Sequence, residues 1–169
     1  SFASGGKGYT INIALVENGV PIIGIIGYPP ENTIWYGHGN KASLKKEGVL
    51  LNLNSLASPS DKIRIVLSHR VDSKTLELLD KIENTVIQKY SSSIKFCKLA
   101  EGKADFYPRI QSINKWDIAA GDAILRAAGG IILNQNGEIF NYSNGNFETG
   151  SFFAVSSLEL WEKLKNNIF

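Results

Sequence analysis

Two alternating, β-branched runs meet at Asn18-Gly19, and that junction constrains the fold more than any other feature of the sequence. Residues 9–16 and 20–28 read as extended strands. Asn-Gly is the pair that best tolerates the two positive φ angles of a tight hairpin turn. Tyr28-Pro29-Pro30-Glu31-Asn32 forces a second reversal, and Thr33 to Tyr36 gives a third short strand. Gly37, Gly39 and residues 41–48 read as an exposed loop, with Leu50 to Leu53 as a further edge strand. Residues 1–57 are therefore expected to form part of an N-terminal sheet domain, as an antiparallel meander.

Ala57-Ser58-Pro59-Ser60 is the best candidate for a boundary, because the pattern changes after it. Ile63 to Leu67 reads as a buried strand. Ser73 to Asn84 reads as an amphipathic helix with Leu76, Leu79 and Ile82 on one face. Thr85 to Lys89 is a strand, Ser93 to Glu101 a helix closed by Gly102, and Asp105 to Arg109 a strand. Asp117 to Ala128 is a small-residue helix, Ile131 to Asn134 a strand, and residues 137–151 a loop or hairpin. Phe152 to Val155 and a last helix from Ser157 to Asn166, capped by Ser156 or Ser157, close the chain. The expected fold class is α/β, a layered α+β sandwich in which the meander precedes an α/β domain over residues 58–169.

The bulk numbers exclude several functions. With 43% hydrophobic and 20% charged residues, the 169-residue chain can bury a real core. A net charge of +2, with scattered Lys and Arg, argues against a surface for a nucleic acid polymer. Cys97 is the only cysteine, which suits a buried thiol in a reduced, cytoplasmic setting. Two histidines without cysteine neighbours do not suggest zinc. No apolar run reaches the ~18 residues of a membrane span, and Ser1 to Lys7 do not read as a signal peptide, because no apolar stretch follows a basic start. Methionine is absent, position 1 included, as expected of a chain that begins partway through a longer product. Gly5-Gly6-Lys7-Gly8 lacks the leading Gly and the Ser or Thr of a P-loop.

Three polar clusters follow three expected strands: Ser68-His69-Arg70, Ser91-Ser92-Ser93 and Asn114 to Asp117. In α/β sheets ligands bind beyond the carboxyl ends of the strands, so these clusters should converge on one crevice. The serines could bind a phosphate through hydroxyl and backbone donors or simply cap a helix. Lys95 and Arg109 could add cationic contacts, Arg109 as a bidentate clamp, or be a solvated helix position and a surface ion pair. Asp117 stands at the mouth of a small-residue helix that ends in Gly129-Gly130, where it could hold a metal-bound phosphate or serve as an N-cap. Ser68 beside His69 does not make a nucleophilic triad, because adjacent residues rarely reach each other productively.

Trp116-Asp117-Ile118-Ala119-Ala120-Gly121 with Ala128-Gly129-Gly130 resembles the C-terminal signature of the inositol monophosphatase superfamily. Three further stretches are similar to its bacterial 3′(2′),5′-bisphosphate nucleotidase branch: residues 10–15, residues 92–97, and Ala100 to Arg109. The resemblance implies a Mg2+-dependent phosphatase with Asp117 as a catalytic metal ligand. Ser68, Ser92, Ser93, Lys95 and Arg109 would bind a small phosphorylated nucleotide. The superfamily's other metal ligands lie upstream, in an acidic residue and an Asp-Pro-x-Asp-Gly-Thr segment ahead of the part resembling Ser1 to Thr10. Neither occurs here. The resemblance therefore implies a C-terminal part, truncated or cleaved, inactive without the N-terminal half of the same protein.

Substrate choice follows from one position. Inositol phosphatases of this superfamily carry an acidic residue seven before the motif Asp, whereas this chain has Ile110 there, after Arg109. That pair suits a second phosphate and a nucleobase better than a polyol. Ser68-His69-Arg70 departs from the Ser-Arg-Ser-His order of the nucleotidase branch, and Ser1-Phe2 is nearer the histidinol-phosphate phosphatases. Inositol or histidinol phosphate thus stay open as substrates, as does a non-catalytic nucleotide- or phosphate-binding module. Homodimer formation and peripheral attachment to a membrane surface are also left open.

Overall fold

A computed structural model describes residues 8–56, 58, 60–143 and 145–168. The Gly5-Gly6-Lys7 stretch, Ser1-Phe2, and Ala57 and Pro59 of the candidate boundary lie outside the described residues. The opening hairpin forms as read: β1 (Ile11–Glu17) pairs antiparallel with β2 (Val20–Tyr28). Asn18 and Gly19 take φ of 50° and 76°, the left-handed values that the turn requires. A single 3-10 turn at Pro29–Glu31 then leads into β3 (Thr33–His38).

The expected loop at 41–48 is instead a strand and a turn. β4 (Lys41–Lys46) pairs with β3, and β5 (Val49–Asn52) pairs with β4, so the sheet runs β1-β2-β3-β4-β5. Three lysines hide the alternation, but Ala42 and Leu44 still point inward and are buried. Glu47-Gly48 reverses the chain with φ of 50° and 82°, the same device as Asn18-Gly19 with a less favoured first residue.

The second sheet has the order β7-β6-β8-β10-β9. β6 (Ile63–Leu67) lies parallel to both β7 (Thr85–Lys89) and β8 (Phe106–Arg109). β10 (Phe152–Val155) runs antiparallel to β8 and to β9 (Ile131–Asn134). The helices are α1 (Ser73–Leu79), α2 (Ile94–Ala100), α3 (Ala119–Ala127) and α4 (Leu158–Ile168). Asp72 caps α1 by accepting from the Thr75 backbone N–H at 2.9 Å. The helix is shorter than the sequence suggests, and its buried residues are Thr75, Leu78 and Leu79, while Leu76 is 48% exposed. Three leucines within four positions leave the buried stripe ambiguous by one residue. Packing selects Leu78.

The elements stack in four layers: the meander, then α2 and α3, then the second sheet, then α1 and α4. Ile26, Trp35 and Leu44 of the meander pack against Cys97, Ala120 and Ile124. Phe96, Ile118 and Leu125 pack against Val66, Phe152 and Ile132 on one face of the second sheet. The opposite face, with Ile65, Phe106 and Phe153, takes Leu78, Leu79, Trp161 and Leu164. The Cys97 thiol is fully buried, which pushes its pKa up.

Two glycines let α3 lie close to the meander. A Cβ on Gly37 would sit 2.6 Å from Ile124 Cα, and one on Gly24 would press into the Ala120 carbonyl. Among the described residues, none covers the meander's other face. Ile11, Ile13, Leu15, Ile25, Ile34 and Tyr36 are 36–59% exposed there. Among the described residues, no helix is long and apolar enough to cross a membrane.

Candidate active site

Parallel pairing brings the C-terminal ends of β6, β7 and β8 to one side of their sheet, where a cleft of about 210 Å3 opens. Ser68, Ser92, Ser93, Lys95, Arg109 and Asp117 all line it. So do Asn12, Phe96, Tyr107 and Ile113, which sequence reasoning did not single out. A signal for Asn12 was available: it is the polar member on the inner face of an otherwise aliphatic strand. Tyr107 reads as core in the sequence, and only its ring position at the cleft floor distinguishes it.

The serine segment is held from several sides. Ser92 takes a left-handed φ of 51°, unusual for a residue with a Cβ. Its hydroxyl lies 2.6 Å from that of Thr10, which also donates to Asn12 Oδ1 at 3.2 Å. Ser93 stands at the N-cap of α2 but makes no side-chain capping bond, so capping does not account for its hydroxyl. Lys95 is not a solvated position: it is 4% exposed, and its ammonium donates to the carbonyls of Ser92 at 2.7 Å and Tyr90 at 3.3 Å. It also lies 5.2 Å from the centre of the Tyr107 ring. Burial, with a smaller effect from Arg109, lowers the Lys95 pKa to about 8.

Arg109 donates from Nη1 to the Ser68 hydroxyl at 3.2 Å and from Nε to the Gln111 carbonyl at 3.1 Å. Both of these hydrogen-bond partners are neutral, while the Asp72 carboxylate feels the positive charge. The Tyr107 phenol, hydrogen-bonded to Arg109 and Ser68, is pushed up by burial. Ile110 turns away from the cleft and packs against the apolar cluster beneath α1 and α4.

Asp117 closes a 3-10 turn, Lys115–Asp117, immediately before α3. It is not the N-cap of α3, because that position is Ile118. Its carboxylate accepts from the Asn114 backbone N–H at 3.3 Å and otherwise stays exposed at the cleft. The turn is pinned from the loop at 142–149. Lys115 N–H donates to the Phe147 carbonyl at 2.8 Å, Thr149 N–H to the Ile113 carbonyl at 2.8 Å, and Lys115 Nζ to the Tyr142 carbonyl at 3.2 Å.

A second acid, Asp122, is wholly buried and engaged elsewhere. It accepts from Arg126 at 2.7 and 3.2 Å and from the Tyr142 hydroxyl at 3.1 Å, and burial raises its pKa against the pull of Arg126. Arg126 also donates to the Phe140 carbonyl at 2.9 Å, tying α3 to the loop that pins the Asp117 turn.

Among the described residues, no three carboxylate, imidazole or thiol groups gather where one ion could bind them. Among those that line the cleft, Asp117 is the one carboxylate. Magnesium needs near-octahedral oxygen ligation, and one carboxylate does not complete a two-metal site.

Comparison with known proteins agrees with this layout. A model of the inositol monophosphatase family matches residues 1–166. The 3′(2′),5′-bisphosphate nucleotidase CysQ of Buchnera aphidicola subsp. Acyrthosiphon pisum is 40% identical over 138 residues, 80% of this chain and 51% of that protein. The CysQ of Escherichia coli K12 is 33% identical over 135 residues, 80% of this chain and 54% of its own length. The chain thus spans about half the length of these curated relatives. The crystal structure of CysQ from Bacteroides thetaiotaomicron superimposes with a TM-score of 0.82 at 31% identity, covering 91% of this chain and 65% of that one. An inositol monophosphatase from Zymomonas mobilis shares the fold, with a TM-score of 0.80 at 22% identity over 99% of this chain and 65% of that one. With its layered sheets, its Asp117 turn and a family match over nearly its whole length, the chain belongs to the inositol monophosphatase family.

Proposed function

We propose that the protein carrying this chain is a Mg2+-dependent phosphatase that converts 3′-phosphoadenosine 5′-phosphate to AMP and inorganic phosphate. Water adds to the 3′-phosphorus, the bond from phosphorus to the 3′-oxygen breaks, and that oxygen leaves with a proton. The observation that carries this reading is the pairing, in one cleft, of an exposed carboxylate with two cations and three serine hydroxyls. A bisphosphate needs two anion sites. Lys95, Arg109, Ser92 and Ser93 would hold one phosphate, and Asp117 marks the other. Similarity to the CysQ nucleotidases supports the same substrate class.

Magnesium, when bound, would polarise the phosphate and activate the water. The carboxylates that accompany Asp117 would come from outside the described residues. This chain's own contribution is orientation. Tyr107 and Ser68 aim Arg109, and the Ser92 and Tyr90 carbonyls fix Lys95 beneath the serine loop. With Ile110 packed into the core, no acidic side chain stands at the place where a polyol phosphatase would use one to hold hydroxyls.

The direct test is magnesium-dependent phosphate release by the complete protein. 3′-Phosphoadenosine 5′-phosphate, inositol 1-phosphate and histidinol phosphate would be compared side by side. Preference for the bisphosphate supports the proposal, and preference for either monophosphate refutes the substrate assignment. Release from none of them would favour a non-catalytic phosphate-binding module, a reading consistent with the single carboxylate at the cleft.

Two residue-level expectations follow. Arg109→Ala should raise KM for the bisphosphate about 10- to 100-fold, as for one lost charge-assisted contact, and change KM for a monophosphate much less. Equal effects on both would remove Arg109 from the second phosphate site. Lys95 gives a pH signature. Its ammonium loses its proton as pH rises through about 8, whereas the substrate phosphates are already dianionic above pH 7. Bisphosphate affinity should therefore fall above pH 8, by at most a factor of about ten per pH unit because one proton is linked. Calorimetric titration from pH 7 to 9.5 would show this slope in the wild type and a flat, weaker profile in Lys95→Met.

A further inference from the structure

We infer that Asn12 reads the sugar of the nucleotide, its side-chain amide donating a hydrogen bond to the ribose 2′-oxygen. Asn12 is thereby a specificity residue of the same cleft, and its role rests on the protein being a bisphosphate nucleotidase. Asn12 stands opposite Ile26 in the antiparallel β1–β2 pair, and Ile26 is fully buried against the helical layer. Directly paired residues share a face of the sheet, so the Asn12 side chain points inward as well. Ala14 and Val16 of the same strand accompany it along one hollow, and of the three only Asn12 is polar. A polar group turned toward a core costs stability unless it is hydrogen-bonded.

Its neighbours orient the amide. The Thr10 hydroxyl donates to Asn12 Oδ1 at 3.2 Å and reaches the Ser93 hydroxyl at a longer 3.4 Å. A hydroxyl has one proton to give, so Ser92 is the donor in its 2.6 Å contact with Thr10. This relay from Ser92 through Thr10 holds Asn12 Oδ1 toward the serine loop. The –NH2 group, with two donors, is left for the cleft that Asn12 lines. Among the described residues, none accepts from that nitrogen.

Asn12 lies between the two anion sites. Its bond to Thr10 ties it to the serine loop on one side. On the other side β1 packs against the Asp117 turn, and Asn12 also lines a neighbouring hollow of about 340 Å3 with Trp116 and Ala119. In a 3′,5′-bisphosphate the ribose joins the two phosphates. With the 3′-phosphate at Asp117 and the 5′-phosphate at Lys95 and Arg109, the sugar falls beside Asn12. The 2′-hydroxyl is vicinal to the 3′-phosphate, so it lies on the Asp117 side, where β1 meets the turn. The charged donors of the cleft suit phosphate oxygens, whereas a neutral amide N–H matches a neutral hydroxyl oxygen.

The test uses the complete protein with magnesium and two substrates, 3′-phosphoadenosine 5′-phosphate and its 2′-deoxy counterpart. The wild type should show a kcat/KM roughly tenfold lower on the deoxy substrate, the upper range for one neutral hydrogen bond. Asn12→Ala should lose about the same factor on the ribose substrate and treat the two alike, because the contact that separates them is gone. A purely structural role for Asn12 would slow both substrates equally and leave their ratio unchanged. An unchanged ratio in Asn12→Ala therefore overturns the inference. So does a wild type indifferent to the 2′-hydroxyl, a result that needs no variant to fold. Calorimetric binding of both bisphosphates to the same preparations separates the contact from the reaction. A ribose preference in binding, lost in Asn12→Ala and without phosphate release, keeps Asn12 as the sugar contact and counts against the proposed reaction. Binding of neither bisphosphate refutes the nucleotide reading, and the sugar contact falls with it.

Discussion

Asp117→Asn in the complete protein should abolish magnesium-dependent phosphate release while leaving the fold intact. A metal supplies several kcal/mol of charge stabilisation in the transition state, and each 1.36 kcal/mol is tenfold in rate, so the expected loss in kcat/KM is at least about 10^3-fold. The stability change should stay within about 1 kcal/mol, the scale of a capping contact. Asp117 makes only a 3.3 Å bond to the Asn114 N–H, and an asparagine oxygen can replace it. Phosphate-release kinetics and thermal denaturation on the same preparation separate the two effects. Wild-type rates in the variant would remove Asp117 from the chemistry. A large drop in thermal stability would instead show the turn to be structural.

The second large effect is on folding. Gly24→Ala and Gly37→Ala should each destabilise the chain by about 3 kcal/mol, at the upper end of ordinary overpacking. At Gly37 the new methyl meets Ile124 Cα and the Ala123 carbonyl, at 2.6 and 3.0 Å. Backbone cannot swing aside as a flexible side chain would. Gly27→Ala is the internal control: it lies in the same strand as Gly24, its nearest neighbour is Ile11 Cβ at 3.9 Å, and it should be neutral to within about 0.5 kcal/mol. Denaturant midpoints for the three variants give the comparison. Equal losses at all three positions would show that the close helix–sheet contact is not their cause. Because α3 follows directly on the Asp117 turn, the two damaging variants should also lower activity in the complete protein.

Where the backbone pattern is local, the sequence was legible. Asn18-Gly19 announced its hairpin, and the aliphatic run from Ile63 to Leu67 its strand, because each signal lies within a few residues. β4 was missed because lysines occupy the outward positions and Glu47-Gly48 is a weak turn signal. Leu79 and Ile82 are buried as read, but Leu76 is not, because helical periodicity alone cannot choose among neighbouring leucines. The candidate site was legible as clusters after strands, and the cleft does bring Ser68, Ser92, Ser93, Lys95, Arg109 and Asp117 together. What the clusters could not show is direction. That Lys95 bonds two carbonyls and that Asp122 is spent on Arg126 and Tyr142 depend on contacts between distant segments.

The uncovered sheet face also carries a calorimetric meaning. Heat capacity of unfolding tracks the apolar surface that unfolding newly exposes, and a face already in water adds nothing to it. For a chain of 169 residues the usual value is roughly 2.0–2.5 kcal/mol/K. Roughly 500 Å2 of uncovered apolar area, at ~0.45 cal/mol/K per Å2, withholds on the order of 0.2 kcal/mol/K. The chain alone thus has a flatter stability curve than its size implies. Whatever covers the face restores that curvature and draws the temperature range of greatest stability inward.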